Sequence, residues 1–470
     1  MRVIIGGAGR VGIALAKAMA NEKYDLVVVD NDSRAVANAQ SLDCLVVNGN
    51  ITNRETLLEA GIQNASVFIA ATPSDETNLI ACSIAEHAHE SKEGVDRLTS
   101  ICRLRTSSYV NEFRAGHLHE WAKVDHVVNP LHGAILRLNA GLRSTELEEV
   151  IPFGEEAYVI EFDIGQSAVN LVGRPLREVR EDFVHGLPNI VGVKRDGERS
   201  FVPNDDSVLQ IGDRIAVSVI GLDKFNPALI TFGHEISYFP EHPHVIIVGA
   251  SPIGTKMAED WLKHGASVTV LERELHLANK LAGSKTGGHL NIDVIHGDHL
   301  DRSVLEEISI DQFDVAVSAL GDDHANIAAV LLMSDLGVPH TGLMLHDADL
   351  VKVTQRMGIS FAVDRHRVAV NNILSHVHRS PSGHYALLAE VPNVVGITLK
   401  ITERAKFAGK KVADAQFPDW MRPAFIKRRN LAGEWESIEP KPDQLLLEND
   451  RMVLFCLKEK VSEAQKRFKV

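Results

Sequence analysis

Three things are scarce in this chain of 470 residues. No apolar run approaches the roughly 20 residues that a bilayer-crossing helix needs, and the N-terminus opens on a short β-branched run instead of a signal-peptide pattern. A cytoplasmic protein without a membrane span or signal peptide is expected. Positive charge is in deficit: 49 Lys and Arg stand against 63 Asp and Glu, a formal net charge of −14. Nucleic-acid binding relies on cations that neutralise phosphates, so that class of partner is excluded. Cysteine is rare: Cys44, Cys82, Cys102 and Cys456 are scattered and form no CxxC pair. They read as reduced core thiols and not as a disulfide framework or zinc site. The 22 histidines include His117-x-His119, His242-x-His244 and His376-x-His378, but no pair has further ligands at a metal-binding spacing, so no metal site is expected.

What is present is an α/β pattern written twice. The composition, 45% hydrophobic and 24% charged, is that of a folded soluble protein, and the length allows two to four cores. Short β-branched runs at Val3–Ile5, Leu26–Val29, Cys44–Val47, Val67–Ala70, Ser100–Arg103 and His126–Val128 alternate with helical patterns that begin near Arg10, Ser33, Asn53, Asp75 and Ser108. That alternation is the signature of a parallel sheet with helices on both faces. The order returns with strands near Val245–Val248, Ser267–Leu271, Asp293–Ile295 and Asp314–Ser318. Gly7 and Gly249 lie 242 residues apart, and Asn78 and Asn326 lie 248 apart, as an internal repeat with small loop insertions requires.

Each α/β unit is followed by a smaller segment rich in β-propensity. In the first, Val172–Val179 precedes Ile190–Val193, an Asp196-Gly197 turn and Ile211–Ser218; in the second, Phe407–Asp414 precedes Ala424–Lys427, an Ala432-Gly433 turn and Glu448–Phe455. Both read as small α+β modules that close with a hairpin and a terminal strand. The polar stretch Phe239–His244 links the halves. The expected layout is a Rossmann-like domain at 1–138, a small α+β domain at 139–225, a second Rossmann-like domain at 242–375 and a second α+β domain at 376–470.

The first unit carries Gly7-Ala8-Gly9-Arg10-Val11-Gly12 directly after its first strand. Gly7 permits the tight turn, Gly9 lets backbone approach a phosphate, and Gly12 lets the helix pack closely, with phosphates on the helix N-terminus. Asp30 ends the second strand 18 residues beyond Gly12, where an acid accepts hydrogen bonds from ribose hydroxyls. Arg10 is placed to reach a phosphate or a neighbouring subunit, or is a solvated first-turn arginine. Asn50, with Gly49, follows the third strand where a base lies; Thr72, Asp75 and Asn78 follow the fourth and line the pocket, unless Asp75 only caps its helix.

The second loop, Gly249-Ala-Ser251-Pro252-Ile253-Gly254, departs from the pattern. Ser251 adds a side chain at the closest phosphate approach and Pro252 removes an N–H. Glu272 keeps an acid at the same 18-residue spacing, which suits NAD(H) over NADP(H) if a nucleotide binds. No substrate domain supplies an acid/base group beside a nicotinamide, so a catalytic centre is not expected.

With Asp30, Val47–Asn50, Leu58–Gly61, Ile69–Thr72, Asp75–Leu79, Asn129-Pro130 and the Gly173–Leu176 and Gly212-Asp213 elements echoed at Gly409 and Asp450, the chain resembles the TrkA family of Trk potassium uptake regulators. These are cytoplasmic proteins with tandem regulator-of-K⁺-conductance (RCK) units. The resemblance implies two RCK Rossmann domains, two ligand-sensing α+β modules, and a homotetrameric ring at the inner face of the membrane on a TrkH-type potassium channel. It implies NAD(H), ATP and ADP as ligands, with the loop Gly7, Ala8, Gly9, Arg10, Val11 and Gly12 and with Asp30, Asn50, Thr72, Asp75 and Arg103 in the first pocket. Ile51 is a further candidate there, and Gly249, Ser251, Ile253, Gly254 and Glu272 are the candidates in a second. Leu131 stands after Asn129-Pro130 where related rings often have a metal-holding glutamate, so that metal is not expected. The resulting expectation is a regulator and not an enzyme; the alternative is an NAD-dependent oxidoreductase acting on a small metabolite.

Overall fold

The computed structural model describes residues 1–20, 24–89, 97–154, 156–183, 186–236, 238–377, 385–405, 407–430 and 433–469. His378 and Ala432, which belong to a histidine pair and a turn read from the sequence, lie outside the described residues. By internal packing the chain forms two compact units: Met1–Pro130 with His366–Ala386 and Ile397–Leu399, and Leu131–Arg365 with Leu387–Gly396 and Lys400–Val470.

In the first unit β1 (Arg2–Gly6), β2 (Asp25–Asp30), β3 (Leu45–Asn48), β4 (Ala65–Ala70), β5 (Thr99–Arg103) and β6 (His126–Val128) form one sheet in the order β3-β2-β1-β4-β5-β6. The paired strands are parallel, and the order reverses between β1 and β4, the crevice where nucleotide-type ligands bind in such sheets. Helices cover both faces of a parallel sheet, so its strands are continuous apolar runs. Val27, Val28 and Val29 are all fully buried, each stabilising the core by roughly 1.5 kcal/mol. Helix α1 (Arg10–Ala20) follows β1 and α2 (Asp75–Ala88) follows β4. His376, on the helix Arg365–Val377, stacks on His126 of β6 with ring centroids 4.4 Å apart.

The second unit contains β7 (Glu149–Pro152), β8 (Ala157–Asp163), β9 (Asn189–Lys194) and β10 (Arg214–Ile220) as an antiparallel sheet in the order β7-β8-β10-β9. It also contains β11 (His244–Val248), β12 (Ser267–Glu272), β13 (Ile292–His296), β14 (Val315–Ser318), β15 (His340–Leu345) and β16 (Phe361–Asp364), a parallel sheet with the first sheet's order, β13-β12-β11-β14-β15-β16. The last strands, β17 (Tyr385–Leu387), β18 (Val394–Lys400), β19 (Met421–Arg429), β20 (Trp435–Ile438) and β21 (Arg451–Leu457), are ordered β17-β18-β21-β19-β20. Helix α3 (Pro130–Gly141) packs on the second parallel sheet: a Cβ at Gly342 would lie 2.8 Å from Leu142, and one at Gly141 2.3 Å from Phe361. Helices α4 (Pro252–Lys263) and α5 (Asp323–Asp335) repeat α1 and α2.

Both modules have the same staple. Arg195 donates to Asp213 through two nitrogens at 2.8 Å each, and Arg428 donates to Asp450 at 2.9 and 2.7 Å. Both aspartates are almost fully buried, and these bidentate pairs hold the turn before the terminal strand. Each module does close with a last strand, β10 and β21, which lies inside its sheet; the hairpin arm expected after Gly197 is instead a single bridge, Val193 to Phe201.

Candidate functional site

The first glycine loop is shaped by contacts internal to the chain. Gly7 has φ of +109°, and a Cβ on Gly12 would sit 1.8 Å from the Gly7 carbonyl oxygen, so Gly12 is required for the helix to start where it does. A Cβ on Gly9 would meet no atom within 4 Å, so the loop is open on the side where a phosphate approaches. Arg10 is exposed on the first turn of α1 beside that opening; Val11 is buried beneath it. Asp30 accepts a hydrogen bond from the Ala8 N–H at 2.6 Å and from the Asp32 N–H at 2.8 Å. Its carboxylate therefore clamps the loop from the neighbouring strand; with two acceptor sites per oxygen it retains capacity for ribose hydroxyls.

The other predicted residues divide. Exposed Asn50 folds back to accept from Thr52, and Ile51 is buried under Gly6. Thr72 is bound by Asn78, whose Oδ1 accepts from the Thr72 amide at 3.0 Å and hydroxyl at 2.6 Å and whose Nδ2 donates to the Arg103 carbonyl at 2.9 Å. Asp75 does not cap α2. Ser74 does so, accepting from the Thr77 N–H, while the Asp75 carboxylate accepts the Arg105 and Thr106 N–H groups from the loop after β5. Asn78 and Asp75 thus tie together the crevice wall, carrying Thr72, half-buried Arg103 and exposed Arg105. The repeat carried a signal for this: Asn326 likewise binds the Leu320 backbone, and Asp323 accepts the His346 and Asp347 N–H groups. Burial works against the Asp323 charge, yet these bonds hold its carboxyl below the usual range. His346 joins the set through Nδ1 to Asp323 at 2.9 Å and Nε2 from Arg365 at 2.8 Å.

The second crevice keeps the scaffold and changes the surface. Glu272, buried, clamps the Ala250 N–H at 2.6 Å as Asp30 clamps Ala8, and a Cβ on Gly254 would lie 2.0 Å from the Gly249 carbonyl oxygen. Ser251 turns inward: its hydroxyl donates to the Ala319 carbonyl and accepts the Gly254 N–H at 3.2 Å, capping α4 from within. Gly9 has no side chain to do this. Half-buried Ile253 stands where Val11 does. Where the first crevice has Arg10, Thr72 and Arg103, the second has Pro252, Leu320 and Met344. Leu320 lies 3.1 Å from where a Gly249 Cβ would be, and buried His299 replaces Ile51, its imidazole pushed down by burial.

The four cysteines are free thiols, three of them buried, and a hydrogen bond to Cys102, together with burial, pushes the Cys82 thiol up. His117 bonds Glu112 whereas His119 bonds the Val124 carbonyl, so that pair diverges. Among the described residues no group of three or more His, Cys, Asp or Glu could hold a metal ion, and no helix is long and apolar enough to cross a membrane.

The curated relatives match from end to end. The Trk system potassium uptake protein TrkA of Azorhizobium caulinodans is 27% identical over 100% of this chain and 99% of its own length; that of Vibrio alginolyticus is 26% identical over 100% and 98%. Among solved structures, the GsuK channel bound to NAD covers 99% of this chain and 78% of its own at 18% identity and a TM-score of 0.52. The GsuK RCK domain covers 99% and 94% at 18% and 0.51, a likeness of fold. The TrkA-N domain matches residues 3–130 and again 245–364, more than half of the chain, and includes both glycine loops, both clamping acids and both asparagine latches. The chain belongs to the TrkA-N domain family and carries that domain twice.

Proposed function

We propose that the chain is the nucleotide-binding regulatory subunit of a Trk-type potassium uptake system, acting at the inner face of the membrane on a TrkH-type channel. The carrying observation is the first crevice: an open Gly9 turn at a helix N-terminus with Arg10 beside it, and an acid-clamped loop at the point where the strand order reverses. NAD(H), ATP or ADP would lay its phosphates over Gly9 and Val11, with Arg10 and Arg103 on the phosphates and Asp30 on a ribose. The full-length likeness to potassium uptake proteins supports the system, and the NAD-bound channel of similar fold supports the ligand class.

In this reading the nucleotide is a signal. A ligand that binds one shape of a homotetrameric ring more tightly than another shifts the ring toward it, and the differential affinity is all the free energy available to the channel. Four domains, 1–138, 139–225, 242–375 and 376–470, divide the work, with nucleotide held at the first and the second Rossmann domain kept as scaffold by Ser251, Pro252 and Leu320. The test is potassium uptake in cells that lack the protein, complemented with wild type or with Asp30→Ala. Restoration by wild type and failure by the variant support the reading. Uptake unaffected by deletion defeats it, and steady NADH oxidation with a small metabolite makes the protein an oxidoreductase instead.

A further inference from the structure

Away from both glycine loops, the second unit has an open cleft between α3, α4 and the first small module. Arg143, just past the end of α3, forms one wall, with its guanidinium 4.8 Å from the Phe239 ring centroid. Lys263 and His264 come from the end of α4, and His132 from the start of α3. Among the described residues neither Arg143 nor Lys263 has a carboxylate partner. The one acid in the cleft, Asp260, is engaged by the Asn139 amide at 2.5 Å. His264 Nδ1 donates to the Asp260 carbonyl at 2.8 Å, which leaves Nε2 for the cleft.

The cleft also gathers polar atoms that are buried without a hydrogen-bond partner: Arg143 Nε, Trp261 Nε1 and Asn139 Oδ1. Trp261 itself is 2% exposed. A buried donor left without an acceptor is costly, more so when it carries charge. Burial accordingly pulls the Arg143 guanidinium below its ordinary value, with only Tyr158 opposing. Donors of this kind, an Arg, a Lys and an indole N–H around one acid already occupied, match an acceptor-only dianion.

We propose that this cleft is an effector site for a small phosphate-bearing metabolite, separate from the nucleotide crevice. The phosphate oxygens accept from Arg143, Trp261 Nε1 and Lys263. The ligand joins α3, α4 and the first module into one body, so its binding biases how those elements pack.

Calorimetric titration of the full chain with inorganic phosphate, against potassium chloride at matched ionic strength and against acetate, tests the proposal. Wild type binds phosphate in preference to both controls. Arg143→Met lowers that affinity about tenfold or more, the loss of a charge-assisted bond, and unfolds no more easily than wild type without phosphate because a desolvated charge is gone. Arg10→Gln leaves phosphate binding at the cleft intact. Lys263→Gln, on the exposed rim, weakens it severalfold and decides the matter should Arg143→Met fail to fold. Equal affinity in wild type and Lys263→Gln, equal affinity in wild type and a folded Arg143→Met, or no phosphate binding by wild type overturns the proposal.

Discussion

Gly12 and Asp30 hold the first crevice in shape for different physical reasons, and the difference is measurable. An alanine at Gly12 places a methyl 1.8 Å from the Gly7 carbonyl oxygen, a backbone atom that cannot swing aside. Gly12→Ala should therefore destabilise by about 3 kcal/mol or more in denaturant unfolding, as overpacking at fixed backbone does; an unchanged midpoint would contradict the packing. Asp30→Asn keeps the size but loses the charge that accepts from Ala8 and Asp32. Its expected cost is about 1–2 kcal/mol, and on the proposed reading NADH affinity falls by more than that when both are measured on the same preparation. The glycine spacing and the acid were legible from sequence because both loops print them 18 residues apart. That Asp30 first serves its own loop was not, since a hydrogen bond across two strands has no sequence period.

The two loop-to-helix junctions have the same backbone and opposite surfaces. Ser251 caps α4, so Ser251→Ala should cost roughly 1 kcal/mol and Ser251→Gly only a few tenths, read from thermal unfolding. Ser251→Gly combined with Pro252→Arg returns the open turn and the cation of the first loop. On the proposed reading, calorimetry should then find a second equivalent of bound nucleotide; a stoichiometry unchanged from wild type would show that Leu320 or Met344 closes the crevice without Ser251. The elements themselves were well marked: α1 begins at Arg10 and α2 at Asp75, as their patterns indicate, and the strands named for the two parallel sheets agree within two residues. Strands β15 and β16 and the helices after the sixth strands escaped. The helix Arg365–Val377 and α3 do carry apolar stripes at helical spacing, Val370, Ile373, Leu374 and Val377 in one and Ala134, Ile135 and Leu138 in the other, and a Cβ at Gly342 of β15 would meet Leu138 and Leu142.

The second unit binds its two small modules through buried polar contacts as well as apolar ones. Glu161, fully buried on β8, accepts the N–H groups of Ala389, Glu390 and Val391, and Phe153 packs between Phe425 and Phe455 at 5.8 Å from each. Beside this junction, burial and the nearby Glu390 charge, opposed by Arg214, push Glu148 up to about 7. A carboxyl raised in the folded state holds its proton more tightly there than in the unfolded chain. The stabilisation it gives is present below its ordinary pKa near 4.5 and is lost as pH rises through 7. Residual solvent contact and the opposing cations reduce the effect to roughly 1–2 kcal/mol. Unfolding measured from pH 5 to 8 should show this slope in wild type and a flatter one in Glu148→Gln; parallel curves would remove Glu148 as the cause. Sequence by itself determined the repeat, the order along the chain of the first parallel sheet's strands, the glycine loops and their acids, because strand and helix periods, turn chemistry and fixed spacings are local. Tertiary structure alone decided that Asp75 and Asn78 latch the crevice wall, that Ser251 faces inward, and that Arg143, Trp261 and Lys263 share one cleft, since each depends on groups brought together from distant parts of the chain and on the desolvation that follows.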